Sequence, residues 1–266
     1  MRIARFVHPG SADLPAGMAW GAVEGPAGST DFAALTVAAI AEHPFGAIRF
    51  TGDRWSLEDV RLVAPILPSK VIAIARNYAE HAAEMGGTAP TSPVIFLKPS
   101  TSVIGHGDTI RRPVSDRVDH EGELAVVIGR PARDVAPEDA LSYVLGYTCG
   151  NDVSARDQQK ADGQFTRAKG HDSFCPIGPW IETVFDPSDK RITVSVNGQP
   201  RQDGRTSQMI HDVAHQIAFI SNVMTLLPGY VILTGTPAGV GPIVAGDTVT
   251  VSIEGIGELS NKVAAK

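Results

Sequence analysis

Three acidic residues in the middle of the chain have the types and spacing of ligands for a divalent cation. Glu121 and Glu123 lie two residues apart at the start of an apolar run, 124–128, and Asp152 follows a second apolar run, 143–149. Side chains at i and i+2 of a strand share a face, about 6.5–7 Å apart. Oxygen ligands without Cys or His suit Mg²⁺, Mn²⁺ or Ca²⁺ better than zinc. Taken alone, the pattern also fits ordinary exposed acids at strand ends.

A histidine and a glutamate upstream have the spacing of a general base and its orienting carboxylate. His81 and Glu84 lie three residues apart on a short predicted helix before Gly86-Gly87, so they share a helix face. A carboxylate beside an imidazole raises its pKa and orients the ring, which prepares it to accept a proton. A surface His–Glu pair is the other interpretation of this spacing.

Two further segments carry polar groups that suit an anionic ligand. The stretch after Asp152 is rich in charge and includes Arg156, Gln159 and Lys169. A lysine beside three carboxylates can balance their charge and hold an anionic substrate, although a solvated loop explains the same composition. The glycine-rich segment 235–241 contains Thr236 and follows a predicted strand, where backbone N–H groups can approach an anion. It matches neither a P-loop nor a dinucleotide fingerprint.

The elements that position these residues are predicted to be mostly strands. Residues 70–75, 94–97 and 124–128 are apolar runs that indicate buried strands, and short strands alternate with Gly, Pro and Asp turns. The segment 192–198 alternates apolar residues and ends in Asn197-Gly198, the strongest two-residue hairpin signal. A helix is predicted around Ile210, Val213, Ile217 and Ile220, which have helical spacing.

The first 65 residues are predicted to form a small leading α/β unit, followed by a large unit at 66–266. Segments 1–7 and 18–25 have the pattern of short strands, and 31–43 has apolar positions on a helical period. Ser56 is a candidate helix N-cap. Pro65 and Pro68 bracket the predicted boundary.

Composition narrows the class of partner. The chain has 266 residues, 43% of them hydrophobic, which is enough for a large core. A net charge of −6 argues against a nucleic acid or an anionic membrane as partner. Cys149 and Cys175 are expected to be buried free thiols. The first residues lack the apolar core of a signal peptide, and no apolar run reaches about 18–20 residues. The chain is predicted to be cytoplasmic.

Several motifs in a fixed order resemble the fumarylacetoacetate hydrolase family, from about residue 66 to the end. They are RNYAEH (76–81), EGELAVVIG (121–129), GYTCGNDVSARD (146–157), FTRAKGHDSFCPIGPW (165–180), the NG hairpin and LTGTPAGVG (233–241). The resemblance implies an α+β, mainly β fold with a mixed β-roll catalytic domain, usually in a homodimer. It implies Mg²⁺ or Mn²⁺ at Glu121, Glu123 and Asp152, with Ca²⁺ as a substitute in crystals.

The resemblance also implies roles for the other candidate residues. Lys169 would lie beside the metal, and His81 with Glu84 would form a catalytic dyad on a lid. The implied substrate contacts are Arg76, Tyr78, Arg156, Gln159 and Thr236.

The implied substrates are small keto acids or dienedioates that react through a metal-stabilised enolate. Three reactions share this intermediate: acylpyruvate C–C hydrolysis, oxaloacetate decarboxylation and 2-hydroxyhepta-2,4-diene-1,7-dioate isomerisation. Each would belong to the catabolism of aromatic compounds or keto acids. The alternative is a non-catalytic member that binds a keto acid or a metal. The intact His81–Glu84 pair argues against this alternative, because a binding protein needs no prepared base.

Overall fold

The computed structural model of the chain describes residues 1–10, 15–26 and 28–266. The leading unit is built from strands, as the patterns at 1–7 and 18–25 predict; the first four pair in sequence order and the fifth pairs with the first. The strands are β1 (Arg2–His8), β2 (Gly17–Glu24), β3 (Thr36–Ile40), β4 (Phe50–Ser56) and β5 (Arg61–Val63). Short 3₁₀ helices cover Phe32–Ala34 and Leu57–Asp59, and Ser56 caps the second by accepting the N–H of Glu58.

The prediction of a helix over 31–43 is wrong. This segment forms one 3₁₀ turn and then β3, which pairs with β2 on one side and with β4 on the other. Val37 and Ala39 pack in the main core, and Ala38 and Ile40 are also buried. A strand buried on both faces has no alternation, so its pattern resembles that of a buried helix. The described residues of the leading unit contain no α-helix, so only 3₁₀ turns represent the α part of the predicted α/β unit.

The rest of the chain is a strand-rich unit with short helices. Its strands are β6 (Val71–Ala75), β7 (Val94–Lys98), β8 (Val103–Ile104), β9 (Thr109–Arg112), β10 (Val118–His120), β11 (Gly122–Ile128), β12 (Val144–Asn151), β13 (Ser154–Ala155), β14 (Cys175–Glu182), β15 (Arg191–Val196), β16 (Gln199–Arg205), β17 (Val231–Leu233), β18 (Gly241–Pro242), β19 (Thr248–Ile253) and β20 (Gly257–Ala265). Its helices are α1 (Ala79–Glu84), α2 (Pro137–Ala140), α3 (Arg156–Asp162), α4 (Thr166–Lys169) and α5 (Val213–Val223), with 3₁₀ turns at Ser100–Ser102, Leu141–Tyr143 and Thr206–Gln208.

The strands form two mixed sheets and one antiparallel sheet, which confirms the predicted α+β, mainly β class. The largest has twelve strands in the order β4-β3-β2-β1-β14-β12-β11-β17-β6-β7, with β5 on β1 and β8 on β14. A five-stranded sheet runs β16-β15-β19-β20-β9, and a three-stranded one runs β13-β10-β18. Three pairs are parallel, β17 with β6, β14 with β8 and β20 with β9.

The large sheet crosses the predicted boundary at residue 65. Strand β1 pairs with β14 through Arg2↔Glu182 and Ile3↔Ile181, so the leading unit extends the sheet of the main unit. The division into 1–65 and 66–266 stays a prediction, because a shared sheet neither requires nor excludes two domains.

Two local predictions are confirmed, and the predicted start of one helix is corrected. Asn197 and Gly198 both have positive φ, 53° and 76°, as a two-residue turn between β15 and β16 requires. Cys149 and Cys175 are buried and free. Helix α5 begins at Val213, after the Asp212 cap, so Ile210, which was predicted to be helical, lies outside the helix. Across the part of the chain that the structure describes, no helix is long and apolar enough to cross a membrane.

The hairpin β15–β16 packs closely against β11 at Gly122. A Cβ at Gly122 would lie 2.2 Å from Val194 Cγ2. Gly122→Ala should therefore lower the free energy of unfolding by about 1–3 kcal/mol, the usual cost of overpacking a core.

Val194→Ala removes the clashing methyl group, so the double variant should be more stable than the sum of the single effects predicts. Thermal unfolding of the four proteins measures this coupling. Gly46→Ala is the control, because a Cβ there meets nothing within 4 Å. Simple additivity of the Gly122 and Val194 changes would contradict the predicted contact.

Candidate metal centre and its cavity

Three carboxylates that are distant in the chain converge on one point. One oxygen each from Glu121, Glu123 and Asp152 lie within 4.8 Å of one another, and the residues are only 4%, 2% and 1% exposed. Strand pairing causes this convergence, because β11 and β12 are antiparallel with Gly122 opposite Asn151. This is the only such group of potential metal ligands in residues 1–10, 15–26 and 28–266.

Backbone bonds hold Glu121 in place although it lies just before β11. Its N–H donates to Asn151 Oδ1 at 3.0 Å, and its carbonyl accepts the N–H of Asp152 at 2.8 Å. The predicted i, i+2 relation with Glu123 therefore holds in space, although the pair spans the junction of β10 and β11 rather than one continuous strand.

Two buried lysines neutralise part of this negative charge. Lys169, at the end of α4, donates to Glu121 Oε2 at 2.6 Å and to Asp152 Oδ2 at 2.5 Å. Lys98, at the end of β7, bonds the other oxygen of Asp152 and is fully buried. The sequence analysis predicted Lys169 and missed Lys98. The only sequence signal for Lys98 is a single charge at the end of the apolar run VIFL.

The two glutamates differ in their electrostatic surroundings. Burial would raise the pKa of Glu121, but the charges of Lys169 and Arg156 outweigh burial and hold that pKa well below its usual value. Glu123 has no basic hydrogen-bond partner in the described structure; its Oε2 accepts the N–H of Gly235 at 2.7 Å. Burial, followed by the charges of Asp152 and Glu121, raises the pKa of Glu123 well above its usual value.

The donor set fits a hard divalent cation. Four buried acids, Asp119, Glu121, Glu123 and Asp152, face three basic groups with little exposure, Lys98, Lys169 and Arg156. Of these four acids, Glu123 is the one without a basic hydrogen-bond partner in the described structure. A cation bound by the three carboxylates would remove the mutual repulsion that raises the pKa of Glu123.

The predicted dyad is formed on α1. His81 Nδ1 lies 3.2 Å from Glu84 Oε2, and His81 is buried. The carboxylate of Glu84 also accepts the N–H of Gly239 at 3.2–3.3 Å, which ties the end of α1 to the glycine-rich segment. With Nδ1 facing the carboxylate, Nε2 is the ring nitrogen that can meet a substrate or water.

Arg156 links the acids to the outer wall of the cavity. Its guanidinium donates to Glu121 Oε1 at 2.6 Å, to Asp119 Oδ2 at 2.8 Å and to Gln159 Oε1 at 3.0 Å. Asp119 also accepts from Arg117 Nε at 2.7 Å. The sequence analysis did not assign Asp119 or Arg117 to the site, because a charged strand residue gives no indication of its partner.

Two connected cavities lead from the carboxylates towards the surface. A narrow inner cavity of about 40 Å³ adjoins the carboxylates, and an outer cavity of about 630 Å³ leads away from it. The residues that line both are Arg76, Met85, Arg156, Gln159 and Phe165. The inner wall also contains His81, Lys169 and Thr236, and the outer wall contains Glu84. The structure thus brings all but one of the predicted site residues to one connected space.

Tyr78 is the exception. It is 2% exposed and lines neither cavity, and its hydroxyl has no hydrogen-bond partner in the described structure. Burial, together with the nearby charge of Glu123, raises the pKa of the Tyr78 phenol. Thr236 does line the inner cavity, but its hydroxyl hydrogen is donated to Gly122 O at 2.8 Å. A ligand there would meet an oxygen acceptor rather than a free donor.

Two family models match nearly the whole chain. The family described as "Fumarylacetoacetate (FAA) hydrolase C-terminal" matches residues 70–264, and a model described as "Rv2993c-like, N-terminal" matches residues 1–65.

Two curated relatives are similar in sequence. Protein Rv2993c of Mycobacterium tuberculosis is 55% identical over 270 residues, which cover 100% of this chain and 99% of that protein. Oxaloacetate tautomerase YisK of Bacillus subtilis is 42% identical over 225 residues, covering 79% of this chain and 75% of the relative.

Two solved structures are similar in fold and sequence. The 2-hydroxyhepta-2,4-diene-1,7-dioate isomerase from Mycobacterium marinum has a TM-score of 0.91 and 54% identity, covering 100% of this chain and 99% of that one. The fumarylpyruvate hydrolase from Pseudomonas aeruginosa, in complex with Mn²⁺ and pyruvate, has a TM-score of 0.72 and 32% identity, covering 76% of this chain and 91% of that one.

The two glutamates have different surroundings, so a change from Glu to Gln should shift the melting temperature of the metal-free protein in opposite directions at the two positions. Because the pKa of Glu123 is raised by folding, its ionisation opposes folding above the unfolded-state pKa. In EDTA, Glu123→Gln should therefore raise the melting temperature, and the gain should grow as the pH rises from 5 to 8. The amide can still accept the N–H of Gly235.

Glu121→Gln is the matched variant. The pKa of Glu121 is lowered by folding, so its charge stabilises the folded state above the unfolded-state pKa. Removing it leaves Lys169 and Arg156 each without one partner, at a cost of about 3 kcal/mol. Its melting temperature in EDTA should fall. Equal shifts of the same sign in both variants would contradict the assigned charge distribution.

Proposed function

Because the chain belongs to the fumarylacetoacetate hydrolase family, we propose that it is a divalent-metal-dependent enzyme acting on a small keto acid or dienedioate through an enolate. Members of this family include enzymes named as tautomerase, isomerase and hydrolase. One observation carries the proposal: three buried carboxylates and the imidazole of His81, which is paired with Glu84, face the same narrow cavity.

Glu121, Glu123 and Asp152 would hold Mg²⁺ or Mn²⁺. Their oxygens form a hard, all-carboxylate set in which Glu123 has no basic hydrogen-bond partner, and the Pseudomonas relative is described with Mn²⁺ and pyruvate. When bound, such an ion supplies Lewis acidity that stabilises negative charge on the oxygens of a keto acid.

The basic residues of the cavity would hold and orient the anionic substrate. Lys169 lies between Glu121 and Asp152, so its ammonium group can contact a substrate oxygen while it balances their charge. Arg156, Gln159 and Arg76 line both cavities and would contact the part of the substrate that extends outward. Thr236 lines the inner end, where its oxygen would accept a hydrogen bond from a substrate hydroxyl group, such as that of an enol. A direct contact by Tyr78 stays a prediction.

His81 would move the proton. Its Nδ1 faces the Glu84 carboxylate, so the imidazolium formed when Nε2 takes a proton is stabilised by a negative charge 3.2 Å away. Returning the proton to another atom of the same substrate completes an isomerisation. Passing a water proton to Nε2 instead would begin a hydrolysis. The dyad therefore serves either reaction, and the room available for water separates them.

Among the reactions that share an enolate, we favour proton transfer, either keto–enol tautomerisation or double-bond isomerisation. The inner cavity of about 40 Å³ is narrow, so a bound substrate and a hydrolytic water molecule would compete for the same space. Proton transfer within a substrate needs no such water. The full-length similarity to a protein described as a dienedioate isomerase supports the same choice. A homodimer and a catabolic role stay predictions.

Turnover by the purified protein tests the function. With Mg²⁺ or Mn²⁺, we expect conversion of the enol of oxaloacetate to its keto form and isomerisation of 2-hydroxyhepta-2,4-diene-1,7-dioate, each followed by ultraviolet absorbance. EDTA should abolish both, because the enolate loses its stabilising charge. Faster cleavage of acetylpyruvate would make the protein a hydrolase, and faster loss of carbon dioxide from oxaloacetate a decarboxylase. Metal binding without any turnover would favour a binding protein.

Substitution of the proposed base separates chemistry from metal binding. His81→Ala should lower kcat by about 10²–10⁴-fold, the usual contribution of a positioned base, with little change in Mn²⁺ affinity. Glu84→Gln should lower kcat less, because the ring remains but its cation is less stabilised. His215→Ala is the control, since His215 is exposed and lies far along the chain on α5. Full activity of the His81 variant would remove this residue from the mechanism.

A further inference from the structure

The hairpin β15–β16 is the strongest sequence motif that the proposed mechanism leaves without a role. It forms the edge of the five-stranded sheet and contributes no residue to either cavity. It nevertheless packs against the backbone of the site. A Cβ on Gly239 would lie 2.3 Å from Arg201 O, and one on Gly204 would lie 2.5 Å from Pro237 Cβ. The hairpin and the segment 235–241 thus meet at the distance of backbone contact.

Gln202 of β16 is the polar centre of this contact. It is 1% exposed, and its amide makes four hydrogen bonds, the maximum for its two donor hydrogens and two acceptor lone pairs. Oε1 accepts the N–H of Gly122 and the Nδ1 hydrogen of His120, both at 3.0 Å. Nε2 donates to Thr236 Oγ1 at 2.7 Å and to Pro237 O at 2.6 Å.

These four bonds determine the orientation of the amide and the tautomer of His120. The N–H of Gly122 can only donate and Pro237 O can only accept, so the amide cannot be reversed without two repulsive contacts. Nδ1 of His120 must therefore carry the hydrogen. The network has one arrangement of donors and acceptors, and such a network is rigid when it is buried.

The network acts on the peptide groups between the two glutamates. Gly122 lies between Glu121 and Glu123, its N–H is bonded to Gln202, and its carbonyl accepts the Thr236 hydroxyl that Gln202 also binds. The same glycine-rich segment donates to Glu123 through Gly235 and to Glu84 through Gly239. Gln202 therefore joins the supports of the metal carboxylates and of the dyad.

We propose that Gln202 is a positioning residue that sets the separation of the Glu121 and Glu123 carboxylates, and with it the affinity for the metal ion. The inference rests on the proposed metal site. The hairpin would then support the metal site in addition to stabilising the sheet. Residues that orient metal ligands usually contribute about 10–100-fold to metal affinity.

Titration of the full-length protein with Mn²⁺ in a calorimeter tests the proposal without depending on turnover. Gln202→Met keeps the length and volume of the side chain and removes all four bonds, so Kd for Mn²⁺ should rise about 10–100-fold. Val249→Ala is the matched control: Val249 is buried in β19 of the same sheet, opposite Val196, and the change costs stability without touching Gly122. Its Kd should stay within about threefold of the wild-type value, because it alters none of these bonds.

A second variant keeps the test valid if Gln202→Met does not fold. Thr236→Val removes the hydroxyl that bridges Gln202 and Gly122 while preserving shape, and should also raise Kd. Where both single variants fold, the double variant should bind Mn²⁺ less weakly than additivity predicts, because both changes act on one peptide group.

An unchanged Kd in either variant, or an equal rise in Val249→Ala, would overturn the role of Gln202. A wild-type protein that binds no Mn²⁺ would instead overturn the proposed function.

Discussion

Negative charge buried without full compensation is the constraint on which the rest of this structure depends. Each carboxylate of the site is withdrawn from water, and an uncompensated buried ion costs several kcal/mol. The compensating bases come from separate elements: Lys98 ends β7, Arg156 begins α3 and Lys169 ends α4. These elements must therefore meet at the junction of β11 and β12. Burial and the neighbouring carboxylates raise the pKa of Glu123, the one acid of the cluster without a basic hydrogen-bond partner.

Precision in the site comes from backbone groups rather than from the charges themselves. Ion pairs are weakly directional, whereas hydrogen bonds to peptide groups have defined lengths and angles. The N–H groups of Gly235 and Gly239 bond Glu123 and Glu84, so one short segment supports both a proposed metal ligand and the proposed dyad. A displacement of this segment would alter both sets together. The leading unit has a different role: β1 pairs with the edge of β14, and none of the unit's described residues lines either cavity of the site.

Local sequence patterns correctly predicted the elements whose structure depends mainly on neighbouring residues in the chain. The Asn197-Gly198 hairpin, the buried strand at 124–128 and the His81–Glu84 helix each depend on neighbours in the chain. The helix predicted at 31–43 was wrong because β2 and β4 supply hydrogen-bonding edges on both sides, and small apolar residues fit either form. Lys98, Asp119 and Gln202 escaped notice for a related reason. A polar residue on a strand is usually exposed, and only its partners show that it is buried and bonded.

The sequence by itself determined the chemical groups of this protein and their order: three carboxylates, an imidazole paired with a carboxylate, a lysine and an arginine, in motifs that resemble one enzyme family. Only the tertiary structure decided which of these groups share a cavity, which carboxylate lacks a basic partner, and which peptide groups hold them. The physical reason is that pKa values, ion pairs and buried hydrogen bonds depend on distances between segments that can lie more than a hundred residues apart. Those distances are set by strand pairing across the sheets, and no local pattern contains them.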